Sequence, residues 1–391
     1  MGSILFSRLR LRELDLSNRI VVSPMCQYAA AGGSANDWHI MHLGSFAVSN
    51  PGLVITEATA VEPVGRISPN CLGLYSEENE RALARIAAFF RTYGGEAKLG
   101  VQLAHAGRKS SVPPSFSVRR ALTEEEGAWI PICPSDYEDG IYARPKVMDE
   151  QCIKEVQESW RKATLRADRA GVNLIELHFA HGYLVHEFLS PLINKRTDSY
   201  GGTLENRMRF ALEVFEICRA VWPEQKPMGV RISATDSVPG GWDVDDSVVL
   251  SRRLKALGCD YVCASSGGIS GAQNIVIGPG YQVPFAERIR READIVAIAV
   301  GLITEARQAE AILQEGRADL IALGRRMLFN PRWAWHAAIE LGEVLPYQER
   351  YRRANPLMGA GLKFVDTPEY RRALESIRTA EAQATHRSSR P

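Results

Sequence analysis

The segment His178-Phe179-Ala180-His181-Gly182-Tyr183 places two imidazoles and a phenol within six residues. It closes an apolar run and contains a glycine, so a strand gives way there to a turn. Two imidazoles three residues apart can both donate N–H bonds to one oxygen, and a phenol two residues on can deliver a proton beside it. Two plainer readings compete. One histidine can be a core residue with satisfied nitrogens, Tyr183 being packing. Alternatively the pair, with His105, can ligate a metal, as strand-end histidines do in barrel hydrolases. No His-x-His stands at the first strand and few carboxylates fall near these residues, so no metal is assigned.

Other polar groups also follow apolar runs. Ser23-Pro24-Met25-Cys26 ends the first run, with Tyr28 just beyond, and Ala58 and Ala60 end the second. Gln102 lies in the third run, which closes near His105; Arg231 lies in the fifth, with Asp236 after it. Gly301 and the pair Gly324-Arg325 follow the last two. Free backbone N–H groups and a guanidinium after those two strands suit a phosphate. A buried arginine needs an acceptor, so Arg231 faces either a protein carboxylate or an electron-rich ring edge. Gln102 offers an amide donor and acceptor that suit a heterocycle edge or a backbone partner. The Cys26 sulfur is polarizable and suits a place beside a redox cofactor, although burial explains most cysteines.

These groups need elements that bring them together. Buried strands are expected over residues 20–25, 53–60, 99–104, 172–179, 228–233, 261–265, 295–301 and 320–324. They are rich in Val, Ile and Leu and bounded by Gly, Pro or Asp, as strands covered on both faces are. Helical patterns fall between them at 38–48, 78–93, 149–170, 204–221, 245–257, 283–292, 304–315 and 331–340. Thr203 and Thr304 are expected N-caps and Pro331 a first-turn proline. Eight βα units in series predict an α/β fold, a (β/α)8 TIM barrel with an N-terminal cap; a doubly wound sheet is the alternative. The barrel would span 1–356. Residues 106–148, rich in Pro, Ser and Gly, form a long loop after strand three, on the face where barrel active sites sit. Residues 357–391 read as a peripheral C-terminal extension, a helix and a frayed tail.

Composition closes off other classes. Hydrophobic residues make up 45% of the 391, enough for a large core, and 47 Lys and Arg nearly cancel 46 Asp and Glu. A net charge of +1 without a basic block argues against nucleic acid or a membrane surface as partner. No apolar run approaches the ~18–20 residues of a membrane span, and the amino terminus lacks a signal-peptide pattern. Seven cysteines without a Cys-x-x-Cys pair fit reduced thiols and a cytoplasmic location.

At these residues the chain resembles the Old Yellow Enzyme family of FMN-dependent ene-reductases, in its thermophilic-like, xenobiotic-reductase-like branch. The resemblance covers roughly residues 4–356 and rests on SPMCQY from Ser23, HAGRK from His105 and HFAHGYLVHEFLSPLINKRTDSYGGTLENRMRF from His178. RISATD from Arg231 and GLITEARQAE from Gly301 extend it. It implies non-covalent FMN at the barrel mouth. Ser23, Pro24, Met25, Cys26 and Ala60 would line the flavin, Gln102 would bind its pyrimidine edge, and Arg231 would face N1 and O2. Gly301, Gly324 and Arg325 would hold the phosphate.

The resemblance further implies that His178 and His181 bind the carbonyl or nitro oxygen of an activated alkene, with Tyr28 also contacting it. Tyr183 would protonate the α-carbon after flavin N5 delivers hydride to the β-carbon. NADPH or NADH would reduce the flavin first, in a ping-pong cycle, and substrates would include enones, enals, maleimides, nitroalkenes and quinones. The branch also implies a homodimer or a dimer of dimers in which Arg353 enters a neighbour's site. Arg352 stands where close relatives have tryptophan, and Lys109 matches the family's lysine. A barrel that binds FMN as a redox sensor, without alkene turnover, is the alternative within this resemblance.

Overall fold

The computed structural model describes residues 2–114, 119–138 and 140–355, with Arg371, Glu375 and Thr379. Eight parallel strands close a barrel: β1 (Ile20–Val22), β2 (Leu53–Ala60), β3 (Lys98–Ala104), β4 (Leu174–Phe179), β5 (Met228–Ser233), β6 (Tyr261–Ser265), β7 (Val296–Ala299) and β8 (Leu320–Leu323). Neighbours in sequence are neighbours in the barrel, and β8 pairs with β1 to close it. Eight helices wrap it: α1 (Asp37–Ala47), α2 (Glu77–Tyr93), α3 (Glu150–Ala170), α4 (Leu204–Val221), α5 (Val244–Ala256), α6 (Val283–Ala293), α7 (Ala306–Gln314) and α8 (Trp333–Glu340). No helix among the described residues is long and apolar enough to cross a membrane.

The interior follows from strand parity. Leu53, Ile55, Leu174, Tyr261, Cys263, Ile298 and Leu320 point inward and pack with Leu11 and Leu16. Those two belong to an antiparallel hairpin, Leu9–Leu11 with Leu14–Leu16, which plugs the amino-terminal end as the expected cap. The intervening residues Val54, Ile175, Val262 and Ala264 point outward into the helix layer. The inward set continues towards the carboxyl ends through Gln102, Glu176, His178, Arg231, Ser233 and Ser265, because side chains alternate along a strand. Register aligns them in rows: Gln102 opposite Glu176, His178 opposite Arg231 and then Cys263, Ser233 opposite Ser265.

Strand β2 alone breaks parity. Ile55 pairs with Gly100 but Ala58 pairs with Gln102, so β2 holds one extra residue, a bulge. The bulge turns Ala58 and Ala60 towards the mouth, where both line a small cavity with Tyr183.

Local chemistry sets most helix starts. The side chains of Asp149, Thr203 and Asp243 accept backbone N–H bonds at the starts of α3, α4 and α5. Three expectations fail locally. The first strand ends at Val22, because Pro24 has no N–H to continue the ladder. Thr304 does not cap α7: its own amide donates to Gln308 Oε1 and Glu305 takes the cap position. Pro331 precedes α8, which starts at Trp333 after a turn held by Asn330. The expected extension over 357–391 lies outside the described residues apart from Arg371, Glu375 and Thr379, which are helical.

Candidate active site

The β4 end carries the expected cluster. His178 is buried and its Nδ1 accepts a bond from the Ala180 amide at 3.2 Å, which leaves its ring proton on Nε2. That Nε2 lies 3.3 Å from His181 Nδ1, with the two rings perpendicular and 5.0 Å apart. The Tyr183 ring stands edge-on to His178 at 5.1 Å. Burial, reinforced by the Arg231 cation, pushes both imidazoles well below their ordinary value, so both are neutral in neutral solution. Burial also pushes the Tyr183 phenol well above its ordinary value, with Cys26, Tyr28 and Cys71 adding to it. The group therefore keeps its proton. Two neutral imidazoles and a protonated phenol thus lie edge to face in one cluster.

The turn that carries His181 is held tightly. His181 adopts φ +61°, its amide donates to Ser233 Oγ at 2.9 Å, and its carbonyl accepts from Lys109 Nζ at 2.7 Å. Lys109 also donates to the Gly268 carbonyl at 2.8 Å, which ties the β4 and β6 loops together. The two loops touch so closely that a Cβ on Gly182 would lie 2.2 Å from the Gly268 oxygen. Only glycine fits there. Lys109 Nζ also sits 5.2 Å over the Tyr183 ring.

The remaining residues fall on both sides of this pair. Ser23 hydrogen-bonds through its amide to the Leu323 carbonyl, and a Cβ on Gly324 would lie 3.7 Å from the Met25 sulfur and 3.9 Å from the Ser23 Cβ. The ends of β1 and β8 are thus one surface, with Pro24 between Ser23 and Met25. Cys26 follows; burial, with Cys71 and Glu57 near it, raises its thiol well above the ordinary value, so it is a neutral sulfur. Tyr28 adopts φ +53° beyond it.

Gln102 donates to Glu176 Oε1 at 2.8 Å, which orients its amide from within the barrel. Arg231 is buried, has no carboxylate within 4.0 Å among the described residues, and leaves Nε without a partner. The plain salt-bridge reading of Arg231 therefore fails. Gly301 has φ +117°, and a Cβ there would lie 2.9 Å from Gln282 Nε2, so this glycine makes room for Gln282. Arg325 is exposed at the mouth rim with no ion-pair partner among the described residues, and Arg353 is exposed far along the chain, in the 3-10 turn Glu349–Ala354.

His105 does not join the pair. Its Nε2 lies 2.8 Å from Glu62 and its Nδ1 accepts the Gly107 amide, so both nitrogens are spent. Asp236 likewise turns away, its Oδ1 2.9 Å from His186. Among the described residues no group of three His, Cys, Asp or Glu side chains is placed to hold a metal. Ser233, Ser265 and Gln282 at the mouth escape sequence reasoning; only inward parity on β5 and β6 signals the two serines.

An orphaned buried guanidinium nitrogen on Arg231, an unpartnered Ser23 hydroxyl, an oriented amide and an unpaired rim arginine fit a planar, electron-rich ring with a phosphate tail. A flavin mononucleotide is a group of that chemistry. Residues 4–343 match the NADH:flavin oxidoreductase / NADH oxidase family. NADPH dehydrogenase of Geobacillus sp. (strain WCH70) is 44% identical over 355 residues, covering 90% of this chain and 99% of that protein. Morphinone reductase in complex with tetrahydroNAD superposes with a TM-score of 0.71 at 26% identity, over 88% of this chain and 92% of that one. A 2-naphthoyl-CoA reductase shares the fold, with a TM-score of 0.77 at 21% identity; this chain, matched over 86% of its length, spans 52% of that protein. The chain belongs to the Old Yellow Enzyme family of FMN-dependent oxidoreductases, with FMN as cofactor and NAD(P)H as reductant.

Proposed function

We propose that this protein is an ene-reductase that reduces the C=C bond of α,β-unsaturated carbonyl and nitro compounds. The observation that carries the proposal is the facing pair His178 Nε2 and His181 Nδ1, both rings neutral, with the protonated Tyr183 beside them. The chemistry that FMN supplies when bound is a hydride, taken from NAD(P)H and delivered to the alkene β-carbon.

The chain's own residues do the rest. His178 and His181 hold the substrate carbonyl or nitro oxygen and, as two donors to it, stabilise the negative charge that grows on it; a donor so placed contributes about 2.7–4 kcal/mol. Neutral rings suit this role, since they donate without transferring a proton. Tyr183 gives its proton to the α-carbon, and Tyr28 lines the substrate's side of the mouth.

Arg231, Gln102, Ser23, Pro24, Met25, Cys26 and Ala60 are the residues we assign to the flavin ring. Gly301, Gly324 and Arg325 are assigned to its phosphate. Arg353, exposed and without an ion-pair partner among the described residues, is assigned to a neighbouring subunit's mouth in a homodimer or dimer of dimers, with Arg352 beside it. A strictly monomeric active species in light scattering would contradict that assignment.

A visible spectrum tests the whole. The purified protein is expected to show flavin bands that bleach with anaerobic NADPH and return on adding cyclohexenone. Bands that bleach and stay bleached with every enone tried would instead support a redox sensor. A colourless protein that FMN cannot reconstitute would sink the proposal.

A further inference from the structure

The imidazole pair has a proton-placement problem that the residues behind it solve. His178 carries its proton on Nε2, because Nδ1 accepts from Ala180. For His181 also to donate to a substrate oxygen, its proton must sit on Nδ1, and Nε2 must then accept. Ser265 Oγ lies 2.7 Å from that Nε2. A hydroxyl is both donor and acceptor, so the direction of the Ser265 O–H decides the tautomer.

Gln282 controls that direction. Its Nε2 donates to the Val300 carbonyl at 3.2 Å, which fixes the amide and turns Oε1 towards the serines. Ser266 donates to this oxygen at 2.7 Å, and Ser265 donates to it at 3.3 Å. With its hydrogen on Gln282, Ser265 accepts from His181 Nε2–H. His181 Nδ1 is then a bare acceptor facing the His178 N–H at 3.3 Å, and the pair is closed on itself. The Ser265–Gln282 bond is longer than the ~2.5–3.0 Å of ordinary O–H···O bonds. When it breaks, Gln282 Oε1 keeps Ser266, so rotation strands no buried acceptor.

We propose that Ser265, held by Gln282, is a positioning residue that sets the His181 tautomer: the resting pair is closed, and an arriving oxyanion opens it into two donors. This rests on reading His178 and His181 as the oxygen-binding pair. The proton count balances. His181 loses its Nε2 proton to solvent and gains one from solvent at Nδ1, so the net change is zero, while the Ser265 hydrogen swings from Gln282 to the vacated Nε2. Without a ligand the open form would set two N–H groups face to face, so only an acceptor between them favours it.

The test uses the FMN holoenzyme with 15N-labelled histidine and 4-nitrophenolate as the probe oxyanion. NMR is expected to show His181 protonated on Nε2 alone and on Nδ1 with the probe bound, while His178 stays protonated on Nε2. Ser265→Ala should weaken the probe about tenfold, on the order of one charge-assisted hydrogen bond. It should leave FMN content intact, and Ser265→Thr, which keeps the hydroxyl, should restore affinity. Gln282→Glu should lock Ser265 as a donor to the carboxylate and keep His181 on Nε2 even with the probe present. If the probe shifts both histidines but His181 stays protonated on Nε2, or Ser265→Ala binds as tightly as wild type, this inference is overturned and the oxygen-binding reading survives. If the probe binds without touching either ring, both fall together.

Discussion

Four buried histidines in this barrel accept a backbone N–H at Nδ1, and they differ in what faces Nε2. His39 accepts from Asn36, His105 from Gly107, His186 from Gly182 and His178 from Ala180, at 2.9–3.2 Å. Across the ring, His39 faces Glu57 at 3.3 Å, His105 faces Glu62 at 2.8 Å and His186 faces Asp236 at 2.9 Å. His178 alone of the four faces another imidazole. A carboxylate opposite Nε2 makes a histidine a structural pin between two segments of the chain. A second neutral ring leaves a donor for a ligand. His186 and His178 are both in the mouth segment and eight positions apart in sequence, yet one braces the turn and the other works in it.

The sharpest way to break this comparison is to unpin a structural histidine. Asp236 is fully buried and also accepts from Ser190 Oγ and the Trp242 amide. Asp236→Ala strands all three donors, so unfolding by denaturant should show a loss of about 3–5 kcal/mol. A loss near zero would mean that the pair holds nothing.

On the working side, Tyr183→Phe removes the proton donor while keeping the ring. Reduction of weakly activated alkenes should fall about 100-fold. Quinone reduction, whose product oxygens take protons from solvent, should stay near wild type. Steady-state rates with both substrate types check this, and equal losses would remove Tyr183 from the chemistry.

The smallest effect concerns acid stability at His105. Burial alone would raise the Glu62 carboxyl, but the hydrogen bonds from His105 and Ser159 hold it below its ordinary 4.5. A depressed carboxyl contributes stability above its unfolded value and loses it as pH falls through the folded one. Wild type should therefore weaken more steeply than Glu62→Gln as pH drops below 4.5, read from denaturation midpoints. Parallel curves would show that the pairing does not survive in solution.

Much of this was legible in the chain because buried parallel strands advertise themselves. Strands β2, β5 and β6 run over the expected residues, their Val, Ile and Leu runs ending at turn residues. The histidine cluster was legible for a different reason: two imidazoles and a phenol at one strand end have few structural uses together. His105 was placed with them by its position after β3, but nothing in sequence announces Glu62, forty-three positions earlier, as its partner. The β2 bulge, which swings Ala58 and Ala60 into the mouth, leaves no mark in an all-buried run. Ser265 and Gln282 are invisible for a similar reason. Hydroxyls and amides are common, and only the fold brings these two, seventeen positions apart, behind one imidazole.

The central claim is that His178 and His181 act on the substrate oxygen and not on the flavin's reduction. Stopped-flow spectroscopy of the His178→Ala holoenzyme separates the two half-reactions by the flavin absorbance. Reduction by NADPH should stay within a few-fold of wild type, while reoxidation by cyclohexenone should slow by about 100-fold or more. Equal slowing of both halves would contradict the account and make the pair part of the flavin site alone.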